Sequence, residues 1–107
     1  MKGEERFKNN RYVTRGVNAE VDIRLQIIMR ELIDKLNESK DIEIDYLQVF
    51  NIYKKQDKIL LDHKQEVPEY QKLYEINNMG YVKLEEKLKL FVIDDIDHSI
   101  MLLAQEY

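Results

Sequence analysis

The sequence predicts an α+β fold in which one long amphipathic helix packs on a mostly antiparallel sheet of four to five strands. In residues 22–37, large apolar side chains recur at steps of three and four, which places them on one side of a helix. From residue 42 onward the apolar period falls to two, which indicates strands. The length of 107 residues suits one domain.

The predicted helix has an apolar side and a charged side. The apolar side carries Leu25, Ile28, Met29, Leu32, Ile33 and Leu36. Burying each of these side chains is worth roughly 1.5–3 kcal/mol, so their burial is a driving force of order 10 kcal/mol. The opposite side carries Arg24, Arg30, Glu31, Asp34 and Lys35. Asp22 can cap the first turn, because its carboxylate accepts hydrogen bonds from free backbone N–H groups, and Asn37 marks the end.

Strands are predicted both before and after this helix along the chain. Residues 11–14 contain β-branched and aromatic side chains and predict a short strand that stops before Gly16. Residues 42–53 and 58–65 both alternate, and the polar stretch between them predicts a hairpin. Pro68 closes this hairpin, because proline cannot donate to a strand ladder.

The last third of the chain predicts two strands that are apolar on both faces. Residues 67–86 suit either a helical turn or an edge strand, and both interpretations stay open. Residues 87–93 and 98–103 are strands whose two faces both carry large apolar side chains. Since one helix covers one face only, either residues 67–86 or a second copy of the protein must cover the other. This pattern favours a homodimer.

The first ten residues predict a flexible basic arm ahead of a single α+β domain over residues 11–107. The cationic residues at this end are Arg6, Lys8, Arg11 and Arg15. They could contact nucleic-acid phosphates. The favoured interpretation is that they pair with carboxylates, four of which follow from residue 94 onward. The net charge of −4 also opposes binding to nucleic acid or to an anionic membrane.

A polar cluster between the last two strands offers a candidate metal site. This acidic turn contains Asp94, Asp95, Asp97, His98 and Ser99. Its oxygen and nitrogen ligands could hold Mg²⁺ or Mn²⁺ and activate water for hydrolysis. The favoured alternative is a plain turn, because aspartate side chains cap local backbone N–H groups. His63 either joins His98 in one site or is a histidine partly buried against a neighbouring strand.

Tyrosines mark a candidate contact surface for a protein partner. The chain has seven tyrosines and three phenylalanines, and tyrosine is enriched at protein interfaces because it joins an apolar body to a polar tip. Tyr70, Tyr74 and Tyr81 cluster in the stretch with two open interpretations. The alternative is that they cover the second sheet face within one chain.

Several blocks of residues occur in the order found in a known family. They are RYVTRG at residues 11–16, YLQVF at 46–50, QEVPEY at 65–70, FVIDD at 91–95, DHS at 97–99 and MLL at 101–103. In that order they resemble the small bacterial and phage-borne proteins of domain of unknown function family 960. The resemblance implies a compact α+β domain from Gram-positive bacteria or their mobile elements, and it implies no activity. The chain departs from the family pattern at Ile96 and Ile100, where glycine and threonine are expected.

These features favour a small, non-enzymatic protein of the cytoplasm that binds another protein or itself, as an accessory factor of a phage or other mobile element. The chain has no cysteine, no Gly-rich phosphate loop and no apolar run near the ~20 residues that span a bilayer. We therefore assign no catalytic residue, no cofactor and no membrane contact. The alternatives are a metal-dependent hydrolase that uses the acidic turn and a nucleic-acid-binding protein that uses the basic arm.

Overall fold

The computed structural model describes residues 6–39, 41–80 and 87–107, which form two helices and a six-stranded sheet. The elements in chain order are β1 (Asn10–Val13), α1 (Arg15–Glu20), α2 (Ile23–Glu38), β2 (Leu47–Lys55), β3 (Lys58–Gln65), β4 (Tyr70–Asn77), β5 (Lys87–Asp94), β6 (His98–Leu103) and a 3₁₀ turn (Ala104–Glu106). The strand order across the sheet is β1-β6-β5-β2-β3-β4. β1 runs parallel to β6, and the other neighbouring strands are antiparallel.

The α+β class and the single long helix are confirmed, but the count of four to five strands is wrong. The additional strand is β4, because residues 70–77 pair along their whole length with β3 at one edge of the sheet. α1 adds a short second helix. The strand expected from residue 42 begins only at Leu47. Residues 43 and 45 instead bond to the side chain of Gln65 through their backbone groups.

α2 forms where the sequence predicts it, and its first turn is capped as expected. An Asp22 carboxylate oxygen accepts from the Arg24 backbone N–H at 2.8 Å. The helix buries Leu25, Met29, Ile33 and Leu36 and half-buries Ile28 and Leu32. Arg30, expected on the charged side, is only 8% exposed. Its guanidinium donates to the Ser99 hydroxyl at 2.8 Å and to the Tyr12 carbonyl at 3.2 Å on the sheet below.

The hydrophobic core lies between α2 and one face of the sheet. Strand residues of this core are Phe50, Ile52, Ile59, Leu61, Leu88, Leu90, Val92, Met101 and Leu103. They occupy alternate positions and meet across strands, as where Phe50 pairs with both His63 and Leu90. We call the opposite side of the sheet the reverse face. Among the described residues, no helix has the length and apolar composition needed to cross a membrane.

Candidate interaction surface

The reverse face carries apolar side chains in two rows that cross the sheet. Strand register places Tyr12, Ile100, Ile93 and Leu47 in the first row and Leu102, Phe91 and Val49 in the second. We call these seven residues the reverse-face patch. The odd–even alternation of each strand points these side chains away from α2. The last two strands were predicted to be apolar on both faces, and their second apolar face forms much of this surface.

The reverse-face patch lies outside the core. None of its seven residues belongs to the buried cluster under α2 or to the side chains packed against that cluster. Val49 and Leu102 are only 6% and 8% exposed, whereas Tyr12 is 51% exposed. The other four are half-buried. β4, from the stretch expected to cover this face, instead extends the sheet in its own plane.

A polar row borders the patch and carries both signs of charge. Register places Lys89, Asn51 and Asp62 side by side on β5, β2 and β3, next to the second apolar row. The Lys89 ammonium lies 5.7 Å from the ring centre of Phe91. Tyr107, which is 84% exposed, contacts the same ring edge-on with centroids 5.6 Å apart. An apolar centre with a polar rim is the usual anatomy of a protein interface.

The side chains of the acidic turn differ in burial and in their partners. Asp94 is buried and accepts from Asn9 Nδ2 at 2.7 Å and from Arg6 Nη1 at 3.4 Å. The Asp95 side chain is 74% exposed and lies 3.9 Å from His98 Nε2. Among the described residues, no three His, Cys, Asp or Glu side chains group closely enough to hold a metal ion. The backbone closes the turn, since the Asp95 N–H donates to the His98 carbonyl at 2.8 Å.

Ile96 occupies the tip of this turn in a strained backbone conformation. Its φ is +70°, in the left-handed region that suits glycine and costs a β-branched residue roughly 1–2 kcal/mol. We expect Ile96→Gly to raise the free energy of unfolding in urea by about 0.5–1 kcal/mol. This net gain is smaller than the relieved strain, because glycine also increases the entropy of the unfolded chain. Ile96→Ala, which keeps a Cβ, is the control. An alanine variant more stable than the glycine variant would contradict the argument.

Two of the cationic residues near the start of the chain pair with carboxylates. Arg6 pairs with Asp94, and Arg11 pairs with Asp34 on α2. Phe7 is buried in the core, and the Asn37 side chain donates to the Arg6 carbonyl at 2.7 Å. The remaining candidates, Lys8 and Arg15, are exposed on either side of β1.

Tyr70 and Tyr74 lie on the helix side of β4, away from the reverse-face patch. Tyr70 and Tyr74 are half-buried and pack against the core. Burial and a hydrogen bond with Tyr70 raise the pKa of Tyr74 to about 12. Tyr81 lies outside the described residues.

The two histidines lie on opposite faces of the sheet and do not form one site. His63 is fully buried, and its ring stacks on Phe50 with centroids 4.4 Å apart. Its Nε2 lies 2.7 Å from Gln48 Oε1, and its Nδ1 has no hydrogen-bond partner among the described residues. Burial lowers the pKa of His63 to about 4, although the nearby Asp62 carboxylate opposes this shift. His63 is therefore neutral at pH 7.

The buried polar network around His63 was not predicted from the sequence. The Gln48 amide nitrogen donates to Gln65 Oε1 at 2.8 Å, and Gln65 in turn donates to the carbonyls of Glu43 at 2.9 Å and Pro68 at 2.8 Å. The available signal was a glutamine at an inward position of each alternating strand. This network joins two loops to the sheet, which is a structural role.

The fold and its surfaces define a two-layer α+β protein with one helical layer over a mixed sheet. The chain belongs to domain of unknown function family 960, described as "Staphylococcal protein of unknown function", whose model matches residues 10–106. It is also similar to a solved structure described as the "protein of unknown function from Enterococcus faecalis". That likeness has a TM-score of 0.76 and 23% identity over 96% of each chain, and it supports the fold alone. No curated protein matches the chain.

Proposed function

We propose that the protein is a non-enzymatic interaction protein that self-associates through the reverse-face patch. The observation that supports this proposal is the patch itself, seven apolar side chains across four strands that do not contribute to the core. The part of this patch that is open to water, which is Tyr12 and the half-buried side chains, gains free energy when a second surface removes it from water. The proposal extends to a role as an accessory factor of a mobile element, which rests on the family resemblance alone, and to the cytoplasm, which the absence of cysteine allows.

The row of mixed charge beside the patch is compatible with a second copy as the partner. The polar row beside the patch contains Lys89 at one end and Asp62 at the other. A two-fold axis brings the same surface together in reverse, so such a row can bring Lys89 of one copy near Asp62 of the other, which is 7% exposed and whose carboxylate accepts from Gln71. A surface of one sign would favour a partner of the opposite sign.

The test measures mass against concentration by analytical ultracentrifugation. We expect a mass that rises toward about 26 kDa, twice the 13.0 kDa of one chain. Ile100→Lys places a charge within the first apolar row and is expected to weaken self-association by at least about 30-fold, the loss of one central contact worth ~2 kcal/mol. Ile27→Lys is the matched control, because Ile27 is 50% exposed on α2, away from this face.

Three results would overturn the proposal. One is a wild-type mass of 13.0 kDa at hundreds of micromolar. Another is equal weakening by the patch and control variants. The third is binding of the reverse face to single-stranded nucleic acid with a steep salt dependence, which would indicate a nucleic-acid-binding protein instead.

A further inference from the structure

Tyr107 is the most exposed aromatic side chain among the described residues, and it contacts the reverse face. It is 84% exposed, against 51% for Tyr12 in the first apolar row. Its ring meets the Phe91 ring edge-on, with centroids 5.6 Å apart, and Phe91 belongs to the second row of the reverse-face patch. A tyrosine combines a large apolar ring with a polar tip, and most of this ring is open to a partner.

The residue before Tyr107 fastens the 3₁₀ turn to the start of α1. Glu106 Oε1 accepts from the Thr14 hydroxyl at 2.6 Å and from the Leu103 backbone N–H at 2.8 Å. The hydrogen bond from Thr14 lowers the pKa of Glu106, as do backbone hydrogen bonds from Leu103 and Gly16. The carboxylate is therefore ionised at pH 7. We call Thr14, Gly16, Leu103 and Glu106 the Glu106 clasp.

The clasp is closely fitted because Gly16 has no side chain. A Cβ at this position would lie 2.5 Å from Glu106 Oε2 and 2.9 Å from a methyl carbon of Leu103, well inside van der Waals contact. The Tyr107 backbone N–H also donates to the Ala104 carbonyl at 3.1 Å. The backbone at Tyr107 is therefore held by its own hydrogen bond and by the neighbouring carboxylate, although its side chain is exposed.

A fixed backbone lowers the cost of binding through an exposed side chain. Immobilising a side chain with many rotamers at an interface costs roughly 0.5–1.5 kcal/mol. A tyrosine has only two side-chain torsions to fix, and here the backbone that carries them is already ordered. Tyrosine is also one of the residue types that supply most of the binding energy at interfaces. Tyr107 therefore has the properties of a preorganised anchor beside an apolar surface.

We propose that Tyr107 is an anchor residue of the self-association surface and that the Glu106 clasp positions it for contact with the second copy. This inference rests on the proposed function and names the residues that direct it. Because the ring of Tyr107 stands against Phe91, a second copy that covers the second apolar row also covers Tyr107. A two-fold axis uses the same surface on both copies, so each dimer contains two such contacts.

The first test measures self-association of full-length variants by analytical ultracentrifugation. Tyr107→Ala is expected to weaken self-association at least about 10-fold, or about 1.4 kcal/mol over the two contacts. Tyr107→Phe keeps the ring and is expected to associate as the wild type does. Ile27→Ala is the matched control and is also expected to change nothing, because it removes an exposed apolar side chain from α2 on the other side of the sheet.

The second test separates positioning by the clasp from a structural role of Glu106. Glu106→Ala is expected to weaken self-association at least about 3-fold while Tyr107 is present, because the turn loses the bonds that hold it. Glu106→Gln keeps an oxygen for Thr14 and Leu103 and is expected to restore most of the affinity. In the Tyr107→Ala background, Glu106→Ala is expected to have no further effect, since its influence passes through the tyrosine.

The outcomes distinguish this inference from the proposed function. A wild type that self-associates and a Tyr107→Ala variant that does so equally tightly would overturn the inference and leave the reverse-face patch as the interface. Equal weakening by Glu106→Ala with and without Tyr107 would overturn the positioning role of the clasp. A wild-type mass of 13.0 kDa at hundreds of micromolar would overturn both proposals.

Discussion

Replacement of Gln65 by methionine is expected to lower the free energy of unfolding by about 3–5 kcal/mol, although the two side chains have similar volume. Gln65 Oε1 accepts from the Asp45 backbone N–H and from Gln48 Nε2, both at 2.8 Å. Its amide nitrogen donates to the carbonyls of Glu43 and Pro68. Methionine offers none of these bonds, so each of the four partner groups must find water or stay unsatisfied, at a cost of roughly 1–3 kcal/mol for each buried group.

Urea unfolding of the Gln65→Met variant measures this cost. Gln71→Met on the neighbouring strand is the matched control, because Gln71 is exposed and its side-chain amide donates to the Asp62 carboxylate. The control is expected to lose less than about 1 kcal/mol. A Gln65→Met variant as stable as the control would show that the two loops do not depend on this side chain.

Acid is expected to destabilise the protein by about 3 kcal/mol through His63 alone. In the folded state the pKa of His63 is about 4, against 6.5 in the unfolded chain. As the pH falls below 6.5, His63 therefore binds a proton in the unfolded state but not in the folded state. The stability that neutral His63 confers is complete above pH 6.5 and lost by about pH 4, at about 1.4 kcal/mol per unit of pKa difference.

The measurement compares urea unfolding of the wild type and of His63→Gln at pH 7 and at pH 4.5. The His63→Gln variant is expected to lose less stability between the two pH values than the wild type does, because its side chain takes up no proton. His98→Gln is the matched control and is expected to keep the full wild-type loss, since it leaves His63 in place. A His63→Gln variant with the wild-type dependence on pH would assign that loss to other groups.

The sequence predicted the parts of the fold that depend on residues close together along the chain. The period of apolar residues identified α2, and Asp22 marked its first turn, because a helix satisfies its backbone within its own segment. The β2–β3 hairpin followed from alternation on both sides of a short reversal. The sequence did not decide whether residues 70–77 form a helical turn or a strand. Pairing with β3 decides this, because it makes them the strand β4.

The candidate surfaces could be predicted only where composition alone reveals them. Apolar residues on both faces of β5 and β6 predicted the reverse-face patch. The inward positions of Gln48 and Arg30 were not predicted, because a buried polar residue makes sense only once its partners are known. Tyr70 and Tyr74 were expected in a contact surface, and the tertiary fold places them against the core on the helix side.

The pairing of β1 with β6 has a consequence for synthesis of the chain on the ribosome. These strands lie side by side although nearly the whole chain separates them. β6 stands between β1 and β5, so the first strand has no place in the sheet before the last one exists. α2 likewise precedes every strand that it covers except β1. The β1–β6 pair can therefore form only after residues 98–103 are synthesised, whereas the β2–β3 hairpin, which carries part of the core that α2 covers, can form earlier.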